Sequence, residues 1–240
     1  MSTTSNSTIL ALDAAGGACS AALWAGGTIA QHRWEAMARG HAEALMPMAR
    51  EVVADTGFQG LDLVAVSVGP GGYTGLRIAI AAARGLGLAL GVPVMGVGSL
   101  DVHRHIARNE GVPGVIAVLL ETKRADFYFQ VFGVDDDPRM DPSVVSGAEV
   151  EAQLAALADR PNGAATLVGD AVERFVEQAD NHADGALVTR TQAADAAAVA
   201  AIAAIAFSKH GAADISPPRP MYLRAPDTSP PAADRQRLRG

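Results

Sequence analysis

The chain has 240 residues, of which 49% are hydrophobic and 19% charged, so one compact domain or two small lobes can bury a core. Its formal net charge of −7 argues against independent binding to RNA or DNA, which relies on an excess of lysine and arginine. No apolar run reaches the roughly 20 residues of a membrane span, and the polar N-terminus lacks the features of a signal peptide. The single Cys19 excludes an internal disulfide and a cysteine-based zinc site, so we expect a cytoplasmic protein.

Hydrophobic runs separated by turn residues predict three antiparallel strands at the start of the chain, followed by alternating helices and strands. The predicted strands of this half cover residues 8–13, 19–24, 28–34, 61–68 and 93–97. The predicted helices cover residues 42–56, 74–90 and 99–109. Because strands alternate with helices after residue 42, part of the sheet is expected to be parallel. Pro47 predicts a kink in the first helix or a later start.

The second half of the chain begins after Gly111 and again combines strands with helices. Its predicted strands cover residues 114–120, 126–134 and 166–168, and its predicted helices cover residues 146–158, 172–180 and 194–209. Ser146 and Glu149 have the spacing of a capping box at the start of the first of these helices. We therefore predict one lobe over residues 1–110, a second over residues 111–224, and a disordered tail over residues 225–240.

A glycine-rich loop precedes the predicted helix 74–90, and Thr74 is its candidate N-cap. A helix N-terminus behind such a loop can bind an anion, but the loop lacks the Gly-Lys-Ser/Thr ending of a P-loop. One interpretation is a tight strand-to-helix turn. The other is a nucleotide or anion site, whose candidate residues are Asp13, Gly69, Gly71, Gly72, Thr74 and Arg77. Arg77 lies in the first helical turn, where the helix dipole disfavours a cation. We therefore expect either a carboxylate of this chain nearby, or a partner's carboxylate or a phosphate.

Small residues recur every four positions along the same predicted helix, at 75, 79, 83, 87 and 91. Residues spaced in this way share one face, and small side chains allow another backbone to approach closely. The helix is apolar on nearly every side, so more than one side must be covered. One cover is the sheet, and the other is the earlier helix of this chain, a partner subunit, or both.

Catalytic and metal-binding patterns are weak in this sequence. His103 and His105 are two residues apart and would point to different faces of a helix, so they are poor joint metal ligands. Cys19 lies in a predicted buried strand, which is typical of an inert thiol. Asp13 ends the first strand, where it could orient a metal-bound nucleotide or cap a turn. We therefore predict no catalytic residue and no metal ligand in this chain.

Several segments together resemble the bacterial TsaB family. These segments are residues 9–13, 18–24, 41–47, 69–77, 93–100 and 220–224. The similarity is dense over residues 8–100 and sparse over residues 135–215, and the glycine signature Gly-Pro-Gly-Gly-Tyr-Thr-Gly-Leu-Arg is its most specific part. The resemblance implies an α/β fold like those of actin and the sugar kinases, with two related lobes that contain mixed sheets.

The resemblance also implies a non-catalytic scaffold or activating subunit that binds a TsaD-type catalytic subunit through its first two helices. With a TsaE-type ATPase, that complex adds a threonylcarbamoyl group to the adenosine 3′ to the anticodon of tRNAs that read codons starting with A. ATP and a metal ion would bind to the partner subunits, tRNA would be contacted only indirectly, and the chain alone could form a homodimer. The candidate interface residues are His41, Leu45, Met48, Ala49, Val52, Thr74, Arg77, Ile78, Ala79, Ala82, Ala83 and Leu86.

The sequence departs from the catalytic relative at one informative position. That relative has a metal-binding His-x-x-x-His motif after the strand that corresponds to residues 93–97, and its two positions fall at Ser99 and His103 here. Because serine replaces one ligand, the resemblance implies that the chemistry has been lost. Two alternatives stay open: a nucleotide-dependent, kinase-like enzyme, suggested by Asp13 and the glycine loops, and a metallopeptidase-like protein.

Overall fold

The computed structural model describes residues 7–158, 165–178, 187–188, 193–212 and 215–224. The chain forms two α/β lobes, each built on a five-stranded mixed sheet. The tail predicted to be disordered, residues 225–240, lies outside the described residues, as do the last two residues of the helix predicted over 172–180.

The first sheet contains β1 (Ile9–Asp13), β2 (Ala18–Ala25), β3 (Thr28–Ala36), β4 (Leu63–Gly69) and β5 (Val94–Gly98). Its spatial order is β3-β2-β1-β4-β5. The first three strands pair antiparallel, and β4 and β5 continue the sheet parallel to β1. This arrangement confirms the predicted opening of three antiparallel strands and the parallel part that follows.

Three helices connect the later strands of this lobe: α1 (His41–Val52), α2 (Tyr73–Leu90) and α3 (Ser99–Asn109). The first two pack against one face of the sheet. Helix α1 begins at His41 and ends at Val52, four residues earlier than predicted, with Pro47 exposed in its interior. Gly91 takes the left-handed conformation at the end of α2, with a φ of 70°, which glycine adopts without strain.

The second sheet contains β6 (Ile116–Glu121), β7 (Phe127–Phe132), β8 (Ser143–Val145), β9 (Thr166–Val168) and β10 (Leu187–Val188). Read from the opposite edge, its order is β8-β7-β6-β9-β10, which corresponds strand by strand to β3-β2-β1-β4-β5 of the first sheet. The parallel and antiparallel pairings are also the same. The two lobes are therefore related, as in the actin-like and sugar-kinase-like folds that the sequence implies.

Helices α4 (Gly147–Ala158) and α5 (Val172–Gln178) belong to the second lobe, and the alanine-rich α6 (Ala196–His210) returns to the first. Helix α6 covers the face of the first sheet that α1 and α2 leave open, and its small side chains are buried against β1 and β2. The side chain of Asp195 caps α6 by accepting the backbone N–H of Ala197. In the described part of the chain, no helix is both long and apolar enough to cross a membrane.

Candidate functional site

A cleft of about 1180 Å³ lies between the two lobes. Its walls are formed by the loops that follow β1, β4, β6 and β9, at residues 14–17, 70–75, 121–124 and 170. Ligands of open α/β sheets bind at the carboxyl ends of parallel strands, and this cleft occupies that position in both sheets. We therefore treat it as the candidate functional site.

Asp13 lies at the end of β1 but does not line this cleft. Its carboxylate is 1% exposed, accepts the hydroxyl hydrogen of Ser67, and accepts the backbone N–H of Ala15 at 3.2 Å. Burial raises the pKa of Asp13 to about 6, although both hydrogen bonds act in the opposite direction. Asp13 therefore caps the turn after β1. Of the two roles considered from the sequence, capping a turn fits these contacts, and orienting a metal-bound nucleotide does not.

The glycine loop packs directly on that same turn. The backbone N–H of Gly72 donates to the carbonyl oxygen of Ala15 at 2.7 Å. A side chain at Gly71 would overlap this carbonyl, and one at Gly75 would overlap the carbonyl of Ala14. The glycines are needed here because the start of α2 touches the backbone of the β1–β2 turn. This geometry favours the tight-turn interpretation over an anion cradle formed by the glycines themselves.

The prediction for Thr74 is wrong, and among the described residues Arg77 contacts two tyrosines rather than a carboxylate of this chain. Helix α2 starts at Tyr73 after Gly72, so Thr74 is an exposed residue of the first turn rather than the N-cap. The guanidinium of Arg77 lies 3.9 Å above the ring of Tyr73 and donates to the hydroxyl of Tyr222 at 2.9 Å. Two electron-rich rings thus stabilise a cation that the helix dipole disfavours.

The small-residue stripe of α2 faces this chain's own sheet. Ala79, Ala83 and Gly87 are buried, and a side chain at Gly87 would overlap Val94 of β5. The stripe therefore allows α2 to approach β4 and β5 closely. The sheet is therefore the cover that lies against this stripe, and a partner on another side of α2 stays a prediction.

Half of the candidate interface residues have side chains that are buried in the core of the first lobe, so in this chain they support the interface helices from within rather than lie on their surface. These are Leu45, Met48, Ala49, Val52, Ala79 and Ala83. The other six reach the surface at least in part: His41, Thr74, Arg77, Ile78, Ala82 and Leu86. The sequence reasoning missed the fully outward positions Pro47, Ala81, Gly85 and Leu88, of which Leu88 is 88% exposed. An amphipathic pattern would have revealed the three positions in α2, but α2 is apolar on nearly every side.

Ser99 and His103 lie one helical turn apart on α3, line the cleft, and are 2% and 1% exposed. Burial lowers the pKa of His103, while the charge of Asp170 acts in the opposite direction. His105 turns to another face, where its ring contacts the side chain of Asn109 at 3.0 Å. Among the described residues, no group of three or more histidine, cysteine or carboxylate side chains is arranged to hold a metal ion.

A C-terminal segment, residues 215–224, borders the cleft and contacts both lobes. The backbone N–H of Met221 donates to the carbonyl of Val68 at 2.7 Å, and Arg84 donates to the carbonyl of Pro218 at 2.5 Å. At its end, Arg224 forms an ion pair with Asp126 of the second lobe. The sequence identified residues 220–224 only through the family resemblance, since proline-rich composition gave no indication of these contacts.

The sequence of the chain is similar to those of a known protein family. A family model described as TsaD, tRNA N6-adenosine threonylcarbamoyltransferase, matches residues 34–215, which is more than half of the chain. The tRNA threonylcarbamoyladenosine biosynthesis protein TsaB of Escherichia coli is 34% identical over 149 residues. That match covers 61% of this chain and 62% of the relative's length.

Two further comparisons extend over nearly the whole chain. An uncharacterised protein of Mycobacterium tuberculosis is 32% identical over 240 residues, covering 96% of this chain and 98% of the relative. The solved structure of YeaZ from Pseudomonas aeruginosa is 25% identical and has a TM-score of 0.75, covering 90% of this chain and 100% of that chain. Both lobes of the fold are therefore shared with this neighbour.

Proposed function

The chain belongs to the TsaD family of tRNA N6-adenosine threonylcarbamoyltransferases as a TsaB-type, or YeaZ-type, member, and we propose that it is a non-catalytic scaffold or activating subunit. In this proposal it binds a TsaD-type catalytic subunit during threonylcarbamoylation of the adenosine 3′ to the anticodon. The similarity to TsaB of Escherichia coli, whose name states a role in threonylcarbamoyladenosine biosynthesis, is the observation that carries it.

Residues of the cleft support the non-catalytic part of the proposal. Ser99 stands where the catalytic relative's motif has its first histidine, and only His103 of the pair is kept. A hydroxyl is a weaker ligand for a transition metal than an imidazole, and one histidine alone binds such a metal weakly. ATP and a metal ion would then be held by the partner subunits.

The proposed interface is the outward face of α1 and α2, with Ile78 and Ala82 at its partly buried edge. Ala81, Gly85 and Leu88 are exposed, uncharged residues on α2, and the exposed Arg84 lies between them. Leu88 is 88% exposed, and contact with a partner would remove that apolar surface from water. Small residues on an exposed helix allow a second helix to pack closely, which corresponds to the two-helix interface that the sequence implied.

Gly85 provides the sharpest test of this surface. An added Cβ there meets nothing within 4 Å, so Gly85→Trp adds bulk without a clash in the isolated chain. Size-exclusion chromatography with light scattering would compare the chain alone with its mixture with the TsaD-type subunit of the same organism. We expect a mixed complex with the wild type and its loss with Gly85→Trp.

Two control variants distinguish a steric block of the proposed interface from a general loss of folding. Gly85→Ala adds only a methyl group and should keep the complex, as should Ala156→Trp on an exposed position of α4 in the second lobe. If Gly85→Trp binds the partner as well as the wild type, the proposed surface is wrong. If the wild type does not bind the partner, the proposed function is wrong.

Further parts of the assembly belong to the same proposal. A TsaE-type ATPase would join the pair, the chain would contact tRNA only indirectly, and its location would be cytoplasmic, where tRNA is modified. In the run without a partner, the same exposed face of α2 would form a symmetric homodimer. Light scattering would show this as twice the mass of 24.6 kDa.

The cleft between the lobes supports the alternative of a nucleotide-dependent, kinase-like enzyme. The position of Asp13 argues against it, because the carboxylate of Asp13 does not reach the cleft. Asp13 is held by Ser67 and Ala15 and does not line the cleft. A phosphoryl-transfer enzyme needs charged groups that position the metal and the nucleotide phosphates. Turnover of ATP by the isolated chain, at a rate that Asp13→Asn abolishes, would support this alternative instead.

A further inference from the structure

The C-terminal segment, residues 215–224, first runs along the first lobe. Pro218 is buried, and its Cβ lies 3.3 Å from the position that a Cβ of Gly96 in β5 would occupy. Three residues later, the backbone N–H of Met221 donates to the carbonyl oxygen of Val68 in β4 at 2.7 Å. These contacts fix the segment against β4 and β5 before it reaches the cleft.

Two neighbouring side chains then connect the segment to both walls of the cleft. The hydroxyl of Tyr222 accepts from Arg77 of α2 at 2.9 Å, and its ring packs on that of Tyr73 with the centroids 5.6 Å apart. Two residues later, Arg224 forms an ion pair with Asp126, in the turn between β6 and β7. A stretch of two residues spans at most about 7 Å. The start of α2 and this turn therefore cannot move far apart while both contacts hold.

The lobes are also joined at the opposite end of the hairpin that β6 and β7 form. Residues 110–115 connect α3 of the first lobe to the start of β6, which lies beside the end of β7 because the two strands pair antiparallel. Arg108 of α3 donates to the carbonyl oxygen of Gly133, directly after β7, at 2.9 Å. This end of the hairpin is therefore the hinge for a relative motion of the lobes. At about 3.3 Å per residue, the six-residue β6 places the hinge about 20 Å from the turn that carries Asp126.

We propose that the C-terminal segment limits the opening of the cleft, with the ion pair of Arg224 and Asp126 as its releasable contact. A rotation of about 10° that opens the cleft about the hinge would move Asp126 by about 3.5 Å, which is enough to separate an ion pair. The contact is releasable because the two side chains are 30% and 27% exposed, and ion pairs that reach water are individually weak. The cleft can therefore widen without unfolding either lobe.

The test measures the width of the cleft in the full chain by double electron–electron resonance between two spin labels. Ala38→Cys and Lys123→Cys place the labels on the first and second lobe, at two exposed residues that line the cleft. The native Cys19 is completely buried, so the two new cysteines are labelled selectively. An excess of unlabelled protein removes distances between two copies. The measurement needs no partner subunit, so its outcome is independent of the proposed function.

Four variants of the labelled protein decide the proposal, and far-UV circular dichroism shows that each is folded. Arg224→Ala should lengthen the mean distance by at least about 3 Å and broaden its distribution, because the second lobe is released. Tyr222→Ala should lengthen it as well, since it removes the contact with α2. Arg224→Lys keeps the positive charge and should stay closer to the wild type. Arg219→Ala removes an exposed arginine of the same segment and should change nothing.

The proposal is overturned if Arg224→Ala has the distance distribution of the wild type, because the ion pair then does not restrain the second lobe. It is also overturned if Arg219→Ala lengthens the distance as much as Arg224→Ala does, because the effect would then follow from the loss of any positive charge in the segment.

Discussion

Replacement of Asp13 by asparagine should change how the stability of the protein depends on pH. The pKa of Asp13 is raised from 3.8 to about 6 because its carboxylate is buried. A raised pKa means that the folded state binds the proton more tightly than the unfolded state. The contribution of Asp13 to stability is therefore fully present below pH 3.8 and is lost as the pH rises through about 6.

The size of this effect follows from the two pKa values. At about 1.4 kcal/mol for each pH unit, a rise from 3.8 to about 6 corresponds to about 3 kcal/mol. Asparagine stays neutral at every pH, and its amide can still accept from Ala15 and donate to Ser67. We thus expect the difference in unfolding free energy, Asp13→Asn minus wild type, to increase by about 2.5 kcal/mol between pH 4 and pH 8, since a small part of the change lies below pH 4.

Urea unfolding of both proteins at intervals over this pH range would measure that difference, since the contributions of all other groups cancel. Ser67→Ala is an informative companion, because the Ser67 hydroxyl lowers the pKa of Asp13. Without it, the stability loss should occur at a higher pH. A difference between Asp13→Asn and the wild type that is the same at pH 4 and pH 8 would refute the reasoning.

Four further substitutions test the packing described above. Gly75→Ala should destabilise the protein by at least about 2 kcal/mol in thermal unfolding, because its methyl group overlaps the carbonyl of residue 14, whereas the exposed Gly85→Ala should stabilise it by about 1 kcal/mol. Ala83→Trp should prevent folding, visible as loss of the cooperative transition, because Ala83 is completely buried. Arg224→Ala should release the C-terminal segment from the second lobe and accelerate hydrogen exchange of the Met221 amide. A Gly75→Ala protein as stable as the wild type, a folded Ala83→Trp, or unchanged exchange at Met221 would each contradict the described contacts.

Most of the fold could be predicted from the sequence because its signals are local. The strands β1, β2 and β4 are apolar runs between turn residues, and α4 begins where the capping box of Ser146 and Glu149 places it. Strands β8 and β10 were not predicted, since segments of three and two residues have no periodicity and form only against a neighbouring strand. Their positions depend on tertiary pairing.

The site was less predictable because its contacts are distant in sequence. Ser67, which holds Asp13, is 54 residues away, and Tyr222, which holds Arg77, is 145 residues away. The orientation of α2 was also hidden, since an apolar helix gives no indication of which side faces the sheet. The small side chains that suggested a partner interface are instead required where α2 crosses β5.

The central claim, that this chain supports catalysis by a partner, is tested most directly by measuring threonylcarbamoyladenosine in tRNA made by the reconstituted complex. We expect product only when this chain is present, and we expect His103→Gln to preserve it, because the histidine of this chain is not part of the catalytic centre. Full product formation without the chain would contradict the account. So would a loss of product with His103→Gln in a complex that still assembles.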